Sequence, residues 1–284
     1  MKRMAVLLPL LIVYGIIIGP FTAYLTNKPV VEKIGYVPEP GVVRILAADQ
    51  SPIVASLLLT KVISYYGGLV EQARSNVAVA PEYGSMYKLI DTAVKLDPYN
   101  MDAYYFAQAI ITWRTGHVRE VNDLLEYGMQ YRTWDWYLPS FAGFNYAYFL
   151  KDYDKAAKNY RKVAELTGDA LSMNLTGRYL YESGKTDLAI AYLTAMVKGA
   201  RNEAIRKTLE TRLQAFHEVK KIEAAAHRFR AALHRSPRSV DELLRRGYLA
   251  DVPVDPYGGL FYIDAKGVVR STSKFAFGVA GHVR

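Results

Sequence analysis

The stretch at residues 139–163 reads PSFAGFNYAYFLKDYDKAAKNYRKV, and it indicates the fold of the chain more clearly than any other. It carries seven aromatic residues in 25, with glycine and alanine set between them. Small residues let two helices approach closely, and aromatic rings fill the space between neighbouring helices. The same rings also suit a binding surface, so packing and binding are both open at this point. The seven are Phe141, Phe144, Tyr146, Tyr148, Phe149, Tyr153 and Tyr160.

The helical pattern of this stretch recurs along the chain with a period of about 34 residues. Met86, Val121, Ala156 and Ala189 are separated by 35, 35 and 33 residues. Positions four and seven residues after each are apolar, aromatic or small, which predicts the inner face of a helix four times over. These positions are Ile90, Leu125, Tyr160, Leu193, Ala93, Gly128, Val163 and Met196. Turn-forming segments follow in register at 96–100, 114–120, 150–156 and 182–189.

The recurring positions resemble the tetratricopeptide repeat, and the best single match is KDYDKAAKNYRKVAEL at 151–166. The resemblance covers about residues 51–200 and implies an all-α solenoid of antiparallel helix pairs. That family has a small residue at its eighth position, glycine at the turn, alanine at its twentieth position and proline at its thirty-second. The matching residues are Gly143 and Gly177, Gly116 and Gly184, Ala156 and Ala189, and Pro98. The departures are Met86 and Val121 for alanine, Thr133 and Gly168 for proline, and one helix that is a residue too long.

The resemblance also implies a concave groove. Its lining would be mostly aromatic with one guanidinium, which suits a peptide or protein segment because aromatic residues and arginine dominate such interfaces. Tyr153 and Tyr160 instead fall on the packing positions of a helix hairpin. Whether the groove is open, or is covered by the N-terminal segment or the tail, stays open at this point. The predicted groove residues are Tyr105, Trp113, Tyr137, Phe144, Tyr148, Asn174, Arg178 and Tyr181.

Two long helices are predicted beside the repeats. Residues 51–74 are apolar around much of the helix, which predicts burial and pairing with a helix at 82–95; Asp49 or Ser51 is expected to cap it. Residues 202–234 carry one apolar stripe in steps of three and four and charges elsewhere, as a helix that closes a repeat array requires. The stripe is Ile205, Leu209, Leu213, Phe216, Val219, Ile222, Ala226, Phe229 and Leu233.

The last 49 residues differ in character from the repeats. Ser239 and Glu242 predict a capping box for a short helix, and residues 260–264 and 268–272 predict two strands joined by the turn DAKG. A long helix followed by PRSVDEL, then GYL and DPYGGLFY, resembles the globular end of the major pseudopilin of type II secretion. The resemblance implies docking to a secretion or pilus-like assembly; the alternative is a small subdomain that caps the last repeat.

The N-terminal residues predict a membrane anchor. Residues 5–25 contain no charge, and 21 residues at about 1.5 Å each are long enough to cross the hydrocarbon layer. Lys2 and Arg3 precede this run, so the N-terminus is expected in the cytoplasm and the rest of the chain outside it. No small-x-small cleavage site follows, which favours an uncleaved signal anchor over a cleaved signal peptide. Pro29, Pro38, Pro40 and Gly41 then predict a tether without regular structure.

Composition and motifs exclude several kinds of site. The chain has no cysteine, which excludes a thiolate nucleophile, a disulfide and a cysteine zinc site. Its net charge of +9 is accompanied by no zinc-ligand spacing, RNP-like signature or basic arm, so nucleic acid is disfavoured. Residues 198–248 hold thirteen basic against six acidic residues. This excess fits either a solvated face or contact with anionic lipid headgroups or an acidic partner. No motif of catalysis, cofactor binding or metal binding is found.

These observations divide the chain into five segments: a transmembrane signal anchor at 1–26, a linker at 27–48, repeats at 49–200, a closing helix at 201–235 and a small α+β tail at 236–284. The combination resembles a class of bacterial membrane-anchored repeat proteins. It predicts a non-enzymatic scaffold of the inner membrane, with its bulk in the periplasm, that binds a protein or peptide partner. Two alternatives stay open: a permanent subunit of a secretion, pilus-like or respiratory complex, and an envelope enzyme without a recognisable motif.

Overall fold

A computed structural model describes residues 13–23, 33–74 and 79–275, and these residues form two compact units that meet in sequence at Ile111 and Thr112. The described residues are mostly helical, and their only strands form one two-stranded sheet. The prediction of an all-α fold with a small C-terminal hairpin is therefore confirmed.

The first unit is built around one helix pair. Its helices α3 and α4 pack on each other, as predicted, and share a core that includes Leu59, Val62, Met86 and Ile90. The elements of this unit are α1 (Val13–Ala23), α2 (Pro40–Ala47), a 3₁₀ turn (Ala48–Gln50), α3 (Ser51–Arg74), α4 (Tyr83–Leu96), α5 (Met101–Phe106) and a π-helical turn (Ala107–Ile111).

The predicted membrane anchor lies partly outside the described residues. Only Val13–Ala23 of the 5–25 run is described, and it is an exposed apolar helix. A second stretch, Pro40–Arg74, is long and apolar enough to cross a membrane by length and composition, and 28% of its most apolar window is buried. One such stretch is weak evidence for a membrane protein, since buried core helices have the same composition.

The prediction that the 27–48 segment lacks regular structure is wrong for α2. Pro40 opens this helix because a proline is compatible with the first helical turn, where no backbone N–H is needed. The Arg44 guanidinium links α2 to α4 by donating a hydrogen bond to the carbonyl oxygen of Lys95 at 3.2 Å. Val43 of this helix is buried, but the side chains of Ile45 and Leu46 are 80% and 79% exposed.

Two expectations about α3 are also wrong. Neither Asp49 nor Ser51 caps it, because the 3₁₀ turn runs directly into the helix and the Ser51 hydroxyl donates to the Ala48 carbonyl instead. Only some of the apolar residues around α3 are buried, because only one face of this helix packs on α4. Ile53 and Leu57 on its other side are exposed.

The second unit is a succession of helices in which each packs on the next from α7 to α12. Its elements are α6 (Thr112–Thr115), α7 (Val118–Tyr131), α8 (Tyr137–Asn145), a π-helical turn (Tyr146–Leu150), α9 (Tyr153–Thr167), α10 (Ala170–Glu182), α11 (Thr186–Gly199), α12 (Glu203–Leu233), α13 (Val240–Arg245), β1 (Phe261–Ile263) and β2 (Val269–Ser271).

The repeating positions lie on the inner faces of α4, α7, α9 and α11. Met86, Val121, Ala156 and Ala189 are completely buried, and so are most residues four and seven positions later. The turns fall where they were predicted, with Gly116, Lys151 and Gly184 in the left-handed conformation. Each of the two 35-residue spacings contains one π-helical turn, and the 33-residue spacing contains none. A π turn absorbs an extra residue in a helix, which explains the helix that was predicted to be a residue too long.

Gly143 and Gly177 allow the close helix contacts that were predicted for them. A Cβ atom on Gly143 would lie 3.0 Å from the ring of Tyr160 on α9, and one on Gly177 would lie 3.0 Å from Leu193 on α11. Tyr153 and Tyr160 both stack on Tyr179 of α10, at centroid distances of 5.9 and 5.6 Å. Their predicted packing role is confirmed.

A paired substitution tests this close contact. Gly143→Ala is expected to lower the free energy of unfolding by about 1–2 kcal/mol, because the Tyr160 ring is held against Tyr179 and cannot retreat without loss of stacking. Gly199→Ala is the control in the same unit: nothing lies within 4 Å of its added Cβ, so stability is expected to stay level or rise by at most about 1 kcal/mol. Urea unfolding followed by circular dichroism measures both. Equal effects from the two variants would contradict the packing.

The closing helix and the tail form one core with α10 and α11. Helix α12 matches the predicted range within a residue at each end, with Asn202 as its N-cap and His234 in the left-handed conformation after it. Ser239 caps α13 as predicted, accepting from the backbone of Glu242 at 3.1 Å. The Glu242 carboxylate, however, accepts from the N–H of Arg238, and its hydrogen bond from Arg235 lowers its pKa to about 2. The predicted hairpin is confirmed, with Phe261 opposite Ser271.

The tail packs on the helices of its own chain, which agrees with the capping alternative. Arg212 of α12 is buried beneath it, an arrangement that the apolar stripe did not predict. Its Nε donates to the Tyr257 hydroxyl at 3.0 Å and its Nη2 to the Phe275 carbonyl at 2.7 Å. Burial lowers the pKa of this guanidinium, and the Tyr257 hydroxyl opposes that effect. The side chain therefore joins α12 to the segments just before and just after the hairpin.

Candidate functional site: an aromatic surface on the second unit

The candidate site is a cluster of four rings, which we call the aromatic site: Trp113, Phe144, Tyr148 and Phe149. Phe144 and Tyr148 stack at 5.3 Å between centroids with an interplanar angle of 9°. Trp113 of α6 lies 5.9 Å from Phe144 and 6.0 Å from Tyr148. Trp113 and Tyr148 are each 54% exposed, so this cluster presents large aromatic surface to solvent. Aromatic rings that are rigid and partly exposed are typical anchors of protein interfaces.

The π-helical turn brings the fourth ring into the cluster. In an α-helix, residues four apart share a face, as Phe144 and Tyr148 do, whereas a residue five positions on points elsewhere. A π turn pairs residues five apart, and Phe149 accordingly lies 6.0 Å from Phe144 with its ring nearly perpendicular. The groove prediction did not include Phe149, because it assumed the regular helical period. The 35-residue spacing was the feature of the sequence that indicated an extra residue there.

A cavity of about 220 Å³ adjoins the aromatic site, between the π turn and α10. Two cationic side chains line this cavity. The Lys151 ammonium lies 5.4 Å from the centroid of the Tyr148 ring, and the Arg178 guanidinium lies 5.9 Å from the centroid of the Tyr179 ring. Neither forms an ion pair with any residue that the structure describes. The cavity is lined by Phe144, Ala147, Tyr148, Lys151, Tyr153, Arg178, Tyr179 and Glu182.

The one carboxylate of this lining is already paired. Glu182 forms an ion pair with Arg270 of β2, and Arg270 also contacts Asp264 at 3.4 Å. Burial raises the pKa of the Tyr179 phenol, so that ring stays neutral at physiological pH. The cavity therefore has a positive edge beside an apolar aromatic wall, which suits a ligand with an apolar side chain and a nearby negative charge.

The structure brings together four of the eight predicted groove residues: Trp113, Phe144, Tyr148 and Arg178. Tyr137 is half exposed and stacks on Trp136 at 3.9 Å, away from the cavity lining. Tyr105 is an exposed residue of the first unit.

Asn174 and Tyr181 were predicted to line the groove, but both are buried, so they are not available to a partner. Tyr181 is buried because the tail and α12 cover it: its hydroxyl donates to the carbonyl of Val269, and its ring stacks on Phe216 at 5.1 Å. Asn174 is also buried, and its side-chain amide donates a hydrogen bond to the carbonyl oxygen of Ala170, one turn earlier in α10, at 2.8 Å. Arg178 lies between them on α10 and stays partly exposed. The tail thus closes one end of the predicted groove and leaves the aromatic site open.

The paired carboxylates near this site have structural partners. Asp152 caps α9 by accepting from the backbone of Lys155, and Asp154 pairs with Lys185 at 2.7 Å. That pair is exposed, and the Lys185 hydrogen bond lowers the Asp154 pKa. Asp152 and Asp154 are thus both held in structural contacts, one as a helix cap and the other in an ion pair.

Comparison with known proteins gives this chain no family. No protein-family model matches the sequence, and no curated protein matches it.

Proposed function

We propose that the chain is a membrane-anchored scaffold whose aromatic site holds a segment of a partner protein in the bacterial cell envelope. The observation that carries this proposal is the cluster of Trp113, Phe144 and Tyr148 on the surface. Beside it lie two cations, Lys151 and Arg178, that have no acidic partner in the part of the chain that the structure describes. Truncating a hot-spot aromatic residue typically costs a complex at least about 2 kcal/mol, and arginine is enriched among such residues. A cavity of about 220 Å³ accommodates one side chain of such a segment.

The proposal includes tetratricopeptide-like packing of helix pairs within each unit, for α3 and α4 in the first and for α7 to α11 in the second. The 34-residue period, the buried repeating positions and the glycine contacts at Gly143 and Gly177 support it. In such an array the first helices of successive pairs line one surface. Phe144 and Arg178 come from successive helices of this kind, α8 and α10, which is why we assign the partner to this surface.

The proposal also includes an inner-membrane anchor at residues 1–26 with the rest of the chain in the periplasm. The uncharged run at 5–25 and the preceding Lys2 and Arg3 support this orientation. The exposed apolar helix Val13–Ala23 belongs to that run.

A crosslinking pull-down from native membranes tests the proposal. Full-length wild type is compared with Phe144→Ala/Arg178→Ala, which is expected to weaken capture of its main partner about 30-fold or more. The control variant Trp134→Ala/Arg119→Ala removes an exposed ring and an exposed cation of the same unit outside the aromatic site, and is expected to capture normally.

Thermal unfolding of the same variants separates binding from folding. Phe144 is partly buried, so a cost of about 1 kcal/mol is expected from the double variant. Tyr148→Ala, at a more exposed ring, is expected to weaken capture with no loss of stability beyond about 0.5 kcal/mol. Unchanged capture by both variants would place the partner elsewhere.

A second candidate function is a permanent subunit of a larger membrane complex. The exposed aliphatic side chains of α2 and the start of α3 favour it, because a surface of this kind is normally covered by a partner or by lipid. They are Val42, Ile45, Leu46, Ile53 and Leu57. Native electrophoresis after mild detergent extraction distinguishes the two functions: a permanent subunit migrates in one discrete complex that survives dilution, and a transient scaffold dissociates.

A further inference from the structure

Two cavities flank helix α9, one on each side, away from the aromatic site. The first lies between α9, α10 and α11 and measures about 600 Å³; the second lies between α7 and α9 and measures about 650 Å³. Both volumes fall within the roughly 300–1,000 Å³ of pockets that bind small molecules. The two cavities share Lys158, Arg161 and Glu165 of α9.

The first cavity is apolar. Its floor is formed by alanines of α9 and α11, whose small side chains leave the space that larger ones would occupy. Leu180 and Met196 also line it. Leu188 stands at its mouth and is 55% exposed. Two hydroxyl groups line this floor: that of Thr176 donates to the Ser172 carbonyl at 2.8 Å, and that of Tyr192 is buried with no hydrogen-bond partner among the described residues. A polar metabolite would find few hydrogen-bond partners on this floor, whereas an alkyl chain would not need them.

The second cavity is polar and basic. Its four cations, Lys155, Lys158, Arg161 and Lys162, face only Glu126 and Glu165. Glu165 is paired with Arg161 at 2.9 Å, and Glu126 accepts from the Tyr146 hydroxyl at 2.7 Å. Among the residues that the structure describes, Lys158 and Lys162 therefore have no acidic partner. An anion on this side of α9 would meet uncompensated positive charge.

We propose that α9 carries a binding site for a single-chain anionic amphiphile of the fatty-acid type. The alkyl chain lies in the apolar cavity, and the carboxylate lies on Lys158, which lines both cavities, with Lys162 adding positive charge. The complementarity is twofold: a mostly apolar floor, and a basic rim on which Lys158 and Lys162 have no acidic partner among the described residues. This site uses none of the residues of the aromatic site, so it stands or falls independently of the scaffold function.

The test is displacement of the fluorescent probe 11-(dansylamino)undecanoate from the full-length protein, kept soluble in amphipol so that no free micelles are present. Dodecanoate is expected to displace the probe. Each methylene group buried strengthens binding about fourfold, so hexanoate is expected to be more than about a hundredfold weaker. Dodecyl maltoside, with the same chain and a neutral head, is expected to be about tenfold weaker, because it lacks the charge-assisted contact.

Three variants complete the test. Ala191→Trp fills the apolar cavity from an exposed position and is expected to abolish probe binding; Leu188→Asp at the mouth serves as a second variant that leaves the core untouched. Lys158→Glu/Lys162→Glu is expected to weaken dodecanoate about tenfold or more and to leave dodecyl maltoside unchanged. Probe binding that survives both cavity variants, or equal displacement by the neutral and the anionic amphiphile, overturns the proposal.

Discussion

Replacing Phe216 with alanine is expected to lower the free energy of unfolding by about 3–5 kcal/mol, the range for large aromatic residues removed from a core. Phe216 is completely buried on α12. Its ring stacks on Tyr181 of α10 at 5.1 Å and meets Phe275 of the tail edge-on at 5.4 Å. The Arg212 guanidinium lies 6.0 Å from its centroid. One ring thus joins α12 to two other parts of the chain, α10 and the tail, and neither can close the space that its removal leaves.

Denaturant unfolding followed by circular dichroism measures this effect. Leu233→Ala, at the exposed end of the same helix, is the control and is expected to cost less than about 1 kcal/mol. If Phe216→Ala lowers the free energy of unfolding no more than Leu233→Ala does, then the tail is not packed on α12. Tyr181 would then be accessible to a partner.

Replacing Gly259 with alanine is expected to cost about 3 kcal/mol, which is large for one methyl group. Its Cβ would lie 2.6 Å from both the Asp255 Oδ2 atom and the backbone nitrogen of Ser273, and 2.7 Å from the Ser271 hydroxyl. The Ser273 nitrogen belongs to the backbone and cannot rotate away. Overpacking typically costs about 1–3 kcal/mol, and weakening the hydrogen bonds of a buried carboxylate adds to this.

The carboxylate in question is Asp255, which organises the turn before the hairpin. It is buried and accepts hydrogen bonds from the hydroxyls of Ser271 and Ser273 and, at 2.9 Å, from the backbone N–H of Tyr257. Leu260→Ala, at the exposed neighbouring residue, is the control and is expected to change stability by less than about 0.5 kcal/mol. Thermal unfolding compares the two variants; a Gly259→Ala protein as stable as Leu260→Ala would show that the turn is not closed in this way.

Features that depend on short-range chemistry were predictable from the sequence. The range of α12 follows from its apolar steps and the Asn202 cap, and the hairpin follows from alternation around the DAKG turn. The 33- to 35-residue spacing gave the helix turns at Gly116, Lys151 and Gly184. Each of these depends on residues within about one or two helical turns, where propensity and periodicity decide the outcome.

Features that depend on distant parts of the chain were not predictable. The covering of Tyr181 joins residues 88 positions apart, through Val269, and no local pattern encodes that contact. Arg212 of α12 lies outside its apolar stripe, where the sequence indicates a solvent-exposed charge, but the tail buries it. The exposure of Ile45 and Leu46 was not predictable for the same reason. An apolar residue in a sequence does not indicate whether another part of the chain covers it.

The candidate site was predictable only in part, because its prediction depended on a regular helical period. Phe144, Tyr148 and Arg178 were assigned from their register in the repeat, and the structure brings them to one cavity. Phe149 was missed because a π turn breaks the helical period on which that register rests. The pairing of Glu182 with Arg270, which leaves Lys151 and Arg178 as the free charges of the cavity, again comes from the tail.

The most direct test of the partner-binding account is site-specific photocrosslinking in native membranes. A benzophenone analogue of phenylalanine replaces Tyr148 in the full-length protein, and in a control it replaces Trp134, an equally exposed ring outside the aromatic site. Mass spectrometry of the adducts identifies the crosslinked peptides. The account predicts one dominant partner segment at position 148, absent at position 134 and lost when Phe144→Ala/Arg178→Ala is added. No adduct at position 148, or the same adducts at both positions, would contradict it.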